Sequence, residues 1–427
     1  MIVIGVFVLA IAMLFLGFEM FLVLGLPGVM IKEMFFGRLP DIVLGQKIVG
    51  GINHATLLAI PFFIFAAEIM ASGRIARNLT GLVKVFLGHR PGGMGHTTIA
   101  ACSMFGAISG SAPATVAALG RIMYPELRAA GYREKFSLGL IVASAETALL
   151  IPPSITLIIY GWLTGTSITA LFAGGLVIGI FLALCFAAYV MIDSYRNDRR
   201  SGTPAPWGER MRTLGASLWA LGLPVIILGG IYGGIFTPTE AAAVSVVYAI
   251  FVEMLVYREM GFRDLMRASA QAAITNSVIF ILLGMGSLIS YWVTLAQFPG
   301  MVINFMEVIN ANWIVFLLVV NLLFLVAGMF IDPNSALLVL VPALFPVALS
   351  FGIDPVHFGL IVCLNICVGM ITPPFGLDIF VASSTLDKPV ARIIAGVWPF
   401  IVINLIALAV VTYVPQLSTF LPKLILG

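Results

Sequence analysis

Apolar residues follow one another in long runs along most of this chain. Residues 10–31, AIAMLFLGFEMFLVLGLPGVMI, contain a single acidic residue. Strands of a transmembrane barrel would instead alternate apolar and polar residues. The pattern therefore predicts an all-α protein that crosses the membrane many times. Spans are expected near residues 50–72, 138–163, 168–192, 214–236, 238–257, 270–295, 355–380 and 393–416.

Two of these spans contain paired prolines. Residues 139–154, GLIVASAETALLIPPS, end at a Pro-Pro pair, and residues 359–376, GLIVCLNICVGMITPPFG, repeat the pattern with a one-residue gap. Proline lacks a backbone N–H and breaks an α-helix. Both spans are therefore predicted to be discontinuous.

Composition and charge support membrane insertion and set its orientation. The chain is 61% hydrophobic and 10% charged, whereas soluble proteins have about 25% charged residues. Most of its 22 lysines and arginines fall in five groups, which we place in the cytoplasm because short basic loops stay inside. The net charge of +3 thus gives no reason to expect a nucleic acid as partner. The groups span 74–90, 121–135, 196–212, 258–267 and 388–392.

The spacing of the basic groups predicts two helical hairpins. Only 30 residues separate Arg90 from Arg121, whereas two full spans need about 40. This segment is expected to be a re-entrant hairpin that turns at ISGSAP. Residues 312–350 are interrupted at GMFIDPNSA and are expected to form a second hairpin from the outside. The N-terminal segment 2–31 could be one long helix or two pieces, and the first helix is expected to stay as a signal anchor.

The order of hairpin, broken span and further span occurs twice. Pro113 and Pro333 occupy the two hairpin tips at an offset of 220 residues, and the charge pattern gives the halves opposite orientations. Such inverted repeats with broken helices are typical of secondary transporters. The predicted organisation is scaffold 1–90, first repeat 91–192 with hairpin one at about 92–120, basic cytoplasmic loop 193–213, scaffold 214–310 and second repeat 311–427 with hairpin two at about 312–350.

The helix breaks predict ion sites. Carbonyl ends of broken helices attract cations and N-terminal ends attract carboxylates, and hydroxyl and carbonyl oxygens suit sodium. The first candidate sodium site comprises Ser103, Ser109, Gly110, Ser111, Thr115, Thr147 and Leu150. The second comprises Gly328, Asp332, Asn334, Ser335, Gly369 and Thr372. Small polar residues are also typical of close helix packing in membranes, and this alternative stays open.

Acidic residues inside membrane spans are costly and are often functional. Glu146 and Asp378 stand beside the proline breaks and are expected in a substrate cavity. The predicted cavity residues are Glu146, Pro152, Pro153, Ser154, Pro373, Pro374, Gly376 and Asp378. Three further acids, Glu19, Glu68 and Glu240, could be functional or could pair with loop arginines or a partner helix. The four cysteines are expected to be small apolar residues, and the histidines show no metal-ligand spacing.

Four motifs resemble one transporter family over nearly the whole chain. They are FGAISGSAPATVAALGRIMYPEL (105–127), LIPPSI (150–155), IYGGIFTPTEAAAV (231–244) and ITPPFGLDIFVAS (371–383). With them the chain resembles the large membrane subunit of tripartite ATP-independent periplasmic (TRAP) transporters. The resemblance implies a bacterial inner-membrane, sodium-coupled importer of organic acids such as sialic acid, C4-dicarboxylates, keto acids or sugar acids. It implies the ion-transporter fold and an elevator mechanism. It also implies a small four-helix membrane subunit and a soluble periplasmic binding protein as partners.

Two positions depart from the family pattern. Members often carry glycines where this chain has AETALL, and many carry asparagine at the position of Asp378. Extra carboxylates would disfavour a dicarboxylate substrate, and they favour a substrate with a cationic group or a contribution from protons.

Three other functions each explain part of the sequence. A stand-alone divalent-anion/sodium symporter would need neither partner. An intramembrane serine hydrolase using Ser109 or Ser111 would need a nearby histidine base, and the nearest one, His96, lies well before the hairpin tip. A channel explains the inverted repeat less well.

Overall fold

The fold is entirely helical wherever the structure describes it. It is a computed structural model that describes residues 9, 12–13, 16–72, 74–197 and 203–426. The helices are α1 (Met20–Phe36), α2 (Ile42–Ile52), α3 (Ala59–Ser72), α4 (Ile75–Leu87), α5 (Gly93–Ser109), α6 (Ala112–Ala129), α7 (Glu134–Ala145), α8 (Ile155–Thr164), α9 (Ile168–Arg196), α10 (Trp207–Tyr232), α11 (Pro238–Ile250), α12 (Phe262–Leu295), α13 (Phe298–Val308), α14 (Trp313–Phe330), α15 (Pro333–Ser350), α16 (Pro355–Met370), α17 (Leu377–Leu386), α18 (Val390–Tyr413) and α19 (Pro415–Leu426).

The lengths of these helices agree with a polytopic membrane protein. Within the described ranges, seven helices are long and apolar enough to cross a membrane, or eight if Ile42–Ile52 and Ala55–Ala71, bent by 56°, form one span. In the N-terminal segment, helical residues 12–13 are separated from α1 by a turn at 16–19. The rest of predicted span 2–31, at 2–8, 10–11 and 14–15, lies outside the described residues.

Both hairpins are present. Hairpin one consists of α5 and α6, joined at Gly110 and Ser111, and hairpin two consists of α14 and α15, joined at Ile331 and Asp332. The second arm of hairpin one continues to Ala129 rather than ending near residue 120. Its basic residue Arg121 therefore lies within the helix and does not mark its end.

Both broken spans are also present. In broken span one, α7 continues as a 3₁₀ turn over Glu146–Leu149 and α8 begins at Ile155. In broken span two, α16 ends at Met370 and α17 begins at Leu377. The proline pairs lie in the two interruptions, as the sequence predicts.

The second arm of each hairpin packs on the broken spans of both repeats. In hairpin one, α5 packs on α7, and α6 packs both on α7 and on α17 of broken span two. In hairpin two, α14 packs on α16, and α15 packs both on α16 and on α8 of broken span one. Each hairpin therefore contacts both repeats, which is the arrangement expected of an inverted repeat.

The remaining helices surround this unit. The 34-residue helix α12 packs against α1, α2, α3 and hairpin two. Trp292 of α12 stacks on Phe36 of α1, with ring centroids 5.2 Å apart. The buried carboxylate of Glu253 accepts the backbone N–H groups of Arg74 and Ile75 at 3.1 and 3.0 Å, which fastens the start of α4.

Candidate substrate and cation sites

Polar side chains at the hairpin tips and helix breaks stabilise exposed helix ends. Ser111 Oγ accepts from Ala114 N at 3.4 Å at the start of α6, and Ser154 Oγ accepts from Leu157 N at 3.3 Å at the start of α8. These are N-cap interactions, which satisfy donors left free in the first helical turn. Gly110 adopts φ of 60°, a left-handed conformation that favours glycine at such a turn.

Asp332 is the N-cap of α15 in hairpin two. Its Oδ2 accepts from the backbone N–H groups of Asn334 and Ser335 at 3.1 Å each, and its Oδ1 accepts from Ser335 Oγ. The negative charge thus lies at the positive end of α15, where the helix dipole stabilises it. Asp332 is half-buried at the tip and Ser335 is fully buried.

The residues of the first candidate cation site form two hydroxyl pairs. Ser103 Oγ lies 3.1 Å from Thr147 Oγ1, and that threonine hydroxyl donates to the Ser144 carbonyl. Ser109 Oγ lies 3.0 Å from Thr115 Oγ1. The structure therefore places four of the hydroxyl groups that the sequence assigns to this site in two separate pairs.

Hydrogen bonding leaves acceptor oxygens at the tip. Thr115 Oγ1 donates to the Ser111 carbonyl at 2.8 Å. A hydroxyl that donates to a carbonyl retains lone pairs for a cation. The Leu150 carbonyl oxygen faces α9 instead, since a methyl group added at Gly175 would lie 2.5 Å from it.

The second candidate cation site is organised around a glycine contact. A methyl group on Gly369 would lie 2.6 Å from Cα of Gly328, so the backbones of hairpin two and broken span two touch. Thr372 N donates to the Gly369 carbonyl at 3.0 Å. In the first repeat, Gly106 approaches Ala148 in the same way, since a methyl group on Gly106 would lie 2.6 Å from the Ala148 Cα.

A cavity of about 800 Å³ lies between the two hairpin tips and the scaffold helices. Four helix N-termini contribute to it, those of α6, α8, α15 and α17. The lining includes Ser109, Gly110, Ser111, Pro113, Ala114, Ile155, Thr156, Asp332, Pro333, Asn334 and Leu377. At α15 the Asp332 carboxylate occupies the first-turn N–H groups, whereas the caps of α6 and α8 take one N–H each and α17 has no side-chain cap. The remaining N–H groups favour anions, so this side of the cavity suits a carboxylate.

The opposite wall of the cavity comes from α1, α3 and α12. It carries two further carboxyl groups, Glu19 and Glu68, and the hydroxyl of Thr275. Among the described residues that line the cavity, none is lysine, arginine or histidine. Its polar character therefore combines helix N-termini on one side with carboxyl groups on the other.

The predicted substrate-cavity residues are not among the described residues that line this cavity. Pro152, Pro153 and Ser154 are buried, and the Pro153 carbonyl packs against Gly110. Both proline pairs, Pro152-Pro153 and Pro373-Pro374, have cis peptide bonds. In the second break Pro373 is half-buried, Pro374 is exposed, and Gly376 packs against the Met370 carbonyl.

Glu146 and Asp378 are both fully buried and are absent from the described lining. Asn404 of α18 donates to Glu146 Oε2 at 2.8 Å. The structure therefore places Glu146 against α18, and it places Asp378 in α17, where its neighbour Ile379 packs in the same apolar cluster as Ile393 of α18.

Sequence reasoning did not place Glu19 and Glu68 in the cavity. Both residues lie far from the helix breaks along the chain, and the sequence does not indicate that α1 and α3 face the hairpin tips. The sequence signal that could have placed them there is a carboxyl group inside a membrane span, which is often functional. Glu240, in contrast, forms a capping box with Thr237 at the start of α11, so its carboxylate satisfies a helix end.

Comparisons with known proteins fit this geometry. Residues 7–417 match the family described as the tripartite ATP-independent periplasmic transporter, DctM component. The chain is 41% identical over 420 residues to the ectoine/5-hydroxyectoine TRAP transporter large permease protein of Ruegeria pomeroyi, with 98% of each chain covered. It is 40% identical over 415 residues to the ectoine TRAP transporter large permease protein of Halomonas elongata, with 97% of each covered.

Two other similarities are more distant. The C4-dicarboxylate TRAP transporter large permease protein of Pseudomonas aeruginosa is 37% identical over 402 residues, with 94% of this chain and 93% of that protein covered. Among solved structures, the YdaH transporter of Alcanivorax borkumensis aligns with a TM-score of 0.64 at 14% identity, covering 89% of this chain and 88% of that one. At this low identity the structural likeness supports the fold alone.

Proposed function

Since this chain belongs to the DctM family of TRAP transporter large permeases and is a multi-pass protein of the bacterial inner membrane, we propose that it imports a small organic acid by sodium symport. The observation that carries this proposal is the cavity at which four helix N-termini meet two candidate cation sites. Sodium is a co-transported substrate in this scheme.

The hairpin tips couple sodium binding to binding of the organic acid. The hydroxyl pair Ser109–Thr115 and the Asp332 cap lie in the same tips that line the cavity. Sodium bound behind the tip of hairpin one orders it, and the ordered tip then presents its remaining N–H groups to a carboxylate. Coupling requires that the substrate-bound and substrate-free states of the protein differ in their affinity for sodium.

The substrate carries a cationic group beside its carboxylate. A dicarboxylate would meet Glu19 and Glu68 without a basic residue among the described lining, and like charges in such a site repel one another. The similarity to two ectoine permeases, at 41% and 40% identity, supports a substrate of the ectoine type. The similarity to a C4-dicarboxylate permease is lower, at 37%.

The transport unit consists of both hairpins and both broken spans. Their packing across both repeats supports a single body that slides past α1, α3 and α12 in an elevator motion. In this proposal, a periplasmic binding protein delivers the substrate and a small four-helix membrane subunit completes the scaffold. The second candidate, a stand-alone symporter, would need neither of these partners.

Uptake of ectoine into proteoliposomes tests the proposal. With both partner subunits present, an inward sodium gradient should drive uptake, and replacing sodium by choline should abolish it. Uptake that persists in choline would disprove sodium symport. Full transport by this chain alone would favour the stand-alone symporter.

The substrate class is tested on the purified chain. In sodium-containing detergent solution, ectoine should raise the melting temperature and succinate should not. This measurement bypasses the binding protein, so it reports the preference of the permease itself. Stabilisation by succinate alone would contradict a substrate with a cationic group.

A further inference from the structure

A second polar cluster lies apart from the cavity, between the two broken spans and α18. It consists of Glu146, Asp378 and Asn404, and each of these residues is 0% exposed. The surrounding side chains are apolar and include Ala145 and Ile379, the chain neighbours of the two acids. We call these three polar residues the inner acid cluster.

Most oxygens of the inner acid cluster have no hydrogen-bond donor. Asn404 Nδ2 donates to Glu146 Oε2. Glu146 Oε1, both oxygens of Asp378 and Asn404 Oδ1 are buried without a hydrogen-bond partner among the described residues. Buried polar atoms are nearly always paired, so four such oxygens in one cluster require an explanation.

The two acids lie in the same part of the fold, since their chain neighbours Ala145 and Ile379 pack in one apolar cluster with Ile401 of α18. Within the described ranges, no lysine, arginine or histidine forms an ion pair with Glu146 or Asp378. Two carboxylates placed together in an apolar shell are costly unless a positive charge accompanies them.

Glu253 shows how this protein satisfies a buried carboxylate that has a structural role. It is also 0% exposed, and both of its oxygens accept backbone N–H groups. The inner acid cluster has the opposite chemistry, because its unpaired atoms are all acceptors. Such a set of carboxylate and amide oxygens is what a hard cation requires as ligands.

We propose that the inner acid cluster is a third cation site, in which Glu146 Oε1, Asp378 and Asn404 Oδ1 hold a hard inorganic cation. The site differs from the hairpin-tip sites because it takes no ligand from a hairpin and one ligand from α18. It joins broken span one, broken span two and α18 through a single ion. Sodium and calcium share the required preference for oxygen and are the two cations to be distinguished.

Counting bound ions tests the proposal. Equilibrium dialysis of the purified chain is done with ²²Na⁺ and, separately, with ⁴⁵Ca²⁺ at fixed pH and ionic strength. The double variant Glu146→Gln/Asp378→Asn should bind one equivalent fewer of one of these cations than the unmodified chain. Equal binding of both cations by the two proteins would overturn the proposal.

The matched control is Glu253→Gln, which neutralises a buried carboxylate whose oxygens already have donors. It should bind the same number of ions as the unmodified chain. An equal loss in this control would assign the effect to a general loosening of the fold, and would also overturn the proposal.

If the double variant does not fold, Asn404→Leu provides the test, because it keeps both carboxylates. The cation concentration at half-saturation of this site should rise at least fivefold. An unchanged value would show that Asn404 does not bind the ion and would exclude the site as proposed. Neither outcome depends on transport, so failure here would leave sodium symport at the hairpin tips untouched.

Discussion

Gly328 and Gly369 meet backbone to backbone where hairpin two crosses broken span two. The space between them does not admit a side chain, since a methyl group on Gly369 would lie 2.6 Å from the Cα and 2.7 Å from the carbonyl carbon of Gly328. This contact holds the second candidate cation site together.

Substitution Gly369→Ala should therefore destabilise the protein and reduce uptake at least tenfold. Overpacking of this kind costs about 1–3 kcal/mol, and the contact must separate to accept the methyl group. The control is Gly300→Ala in α13, where nothing lies within 4 Å of an added methyl group. Melting temperatures of the purified variants check the first effect, and equal values for the two variants would contradict it.

Thr115→Val should weaken sodium coupling. It removes a hydroxyl that bonds both Ser109 and the Ser111 carbonyl at the tip of hairpin one. The sodium concentration for half-maximal uptake should rise at least fivefold, while uptake at saturating sodium falls less. Thr80→Val is the matched control, because its buried hydroxyl donates only to the Ala76 carbonyl within α4. The same rise in the half-maximal sodium concentration in both variants would refute a specific role of Thr115 in sodium coupling.

Glu68→Gln should change the choice of substrate. Loss of this charge from the cavity wall should raise the KM for ectoine at least tenfold and should allow succinate to compete better. Glu307→Gln on the exposed face of α13 is the control and should behave like the unmodified protein. An unchanged ratio of ectoine to succinate inhibition would remove Glu68 from the substrate site.

An ion-pair network at the basic end of α7 should make stability depend on acid pH. Glu134 accepts from Tyr124 at 3.1 Å and pairs with Lys388 and Arg392 at 3.3 and 2.8 Å. Desolvation raises the pKa of Glu134, but the hydrogen bonds from Tyr124 and Lys388 and the charge of Arg392 outweigh it and lower the pKa.

The lowered pKa fixes the direction of this pH dependence. The network stabilises the fold above the ordinary glutamate pKa of about 4.3, and this stability is lost as the pH falls through the lower folded-state value. Glu134→Gln should lower the melting temperature at pH 7 by no more than about 2 °C, since exposed ion pairs are weak. Below the folded-state pKa the two proteins should melt together. A persistent difference there would contradict this assignment.

The proline pairs and the glycine- and serine-containing tips were sufficient to predict the architecture. Helix breaks of this kind can be predicted from the local sequence, since proline and glycine change the backbone conformation at their own positions. The predicted second arm of hairpin one is too short, because the prediction ends it at the basic residue Arg121. A basic side chain on a helix can extend to the membrane surface while its backbone stays helical.

The partners of each break could not be predicted in the same way. The placement of Glu68 in the cavity depends on how α3 packs against the tips, and the burial of Asp378 depends on α18. Both are contacts between distant segments, and hydrophobic patterns do not encode which helix faces which. The capping role of Asp332 was equally hidden, because a cap and a cation ligand use the same oxygen atoms.

The packing of each hairpin on both repeats also determines the order in which this protein can be assembled. Hairpin one emerges early from the ribosome, but α6 packs on α17, which follows about 250 residues later. Contacts between such distant segments form late. The contacts of hairpin one with broken span two can therefore form only after the C-terminal helices are inserted, and a truncated chain lacks them.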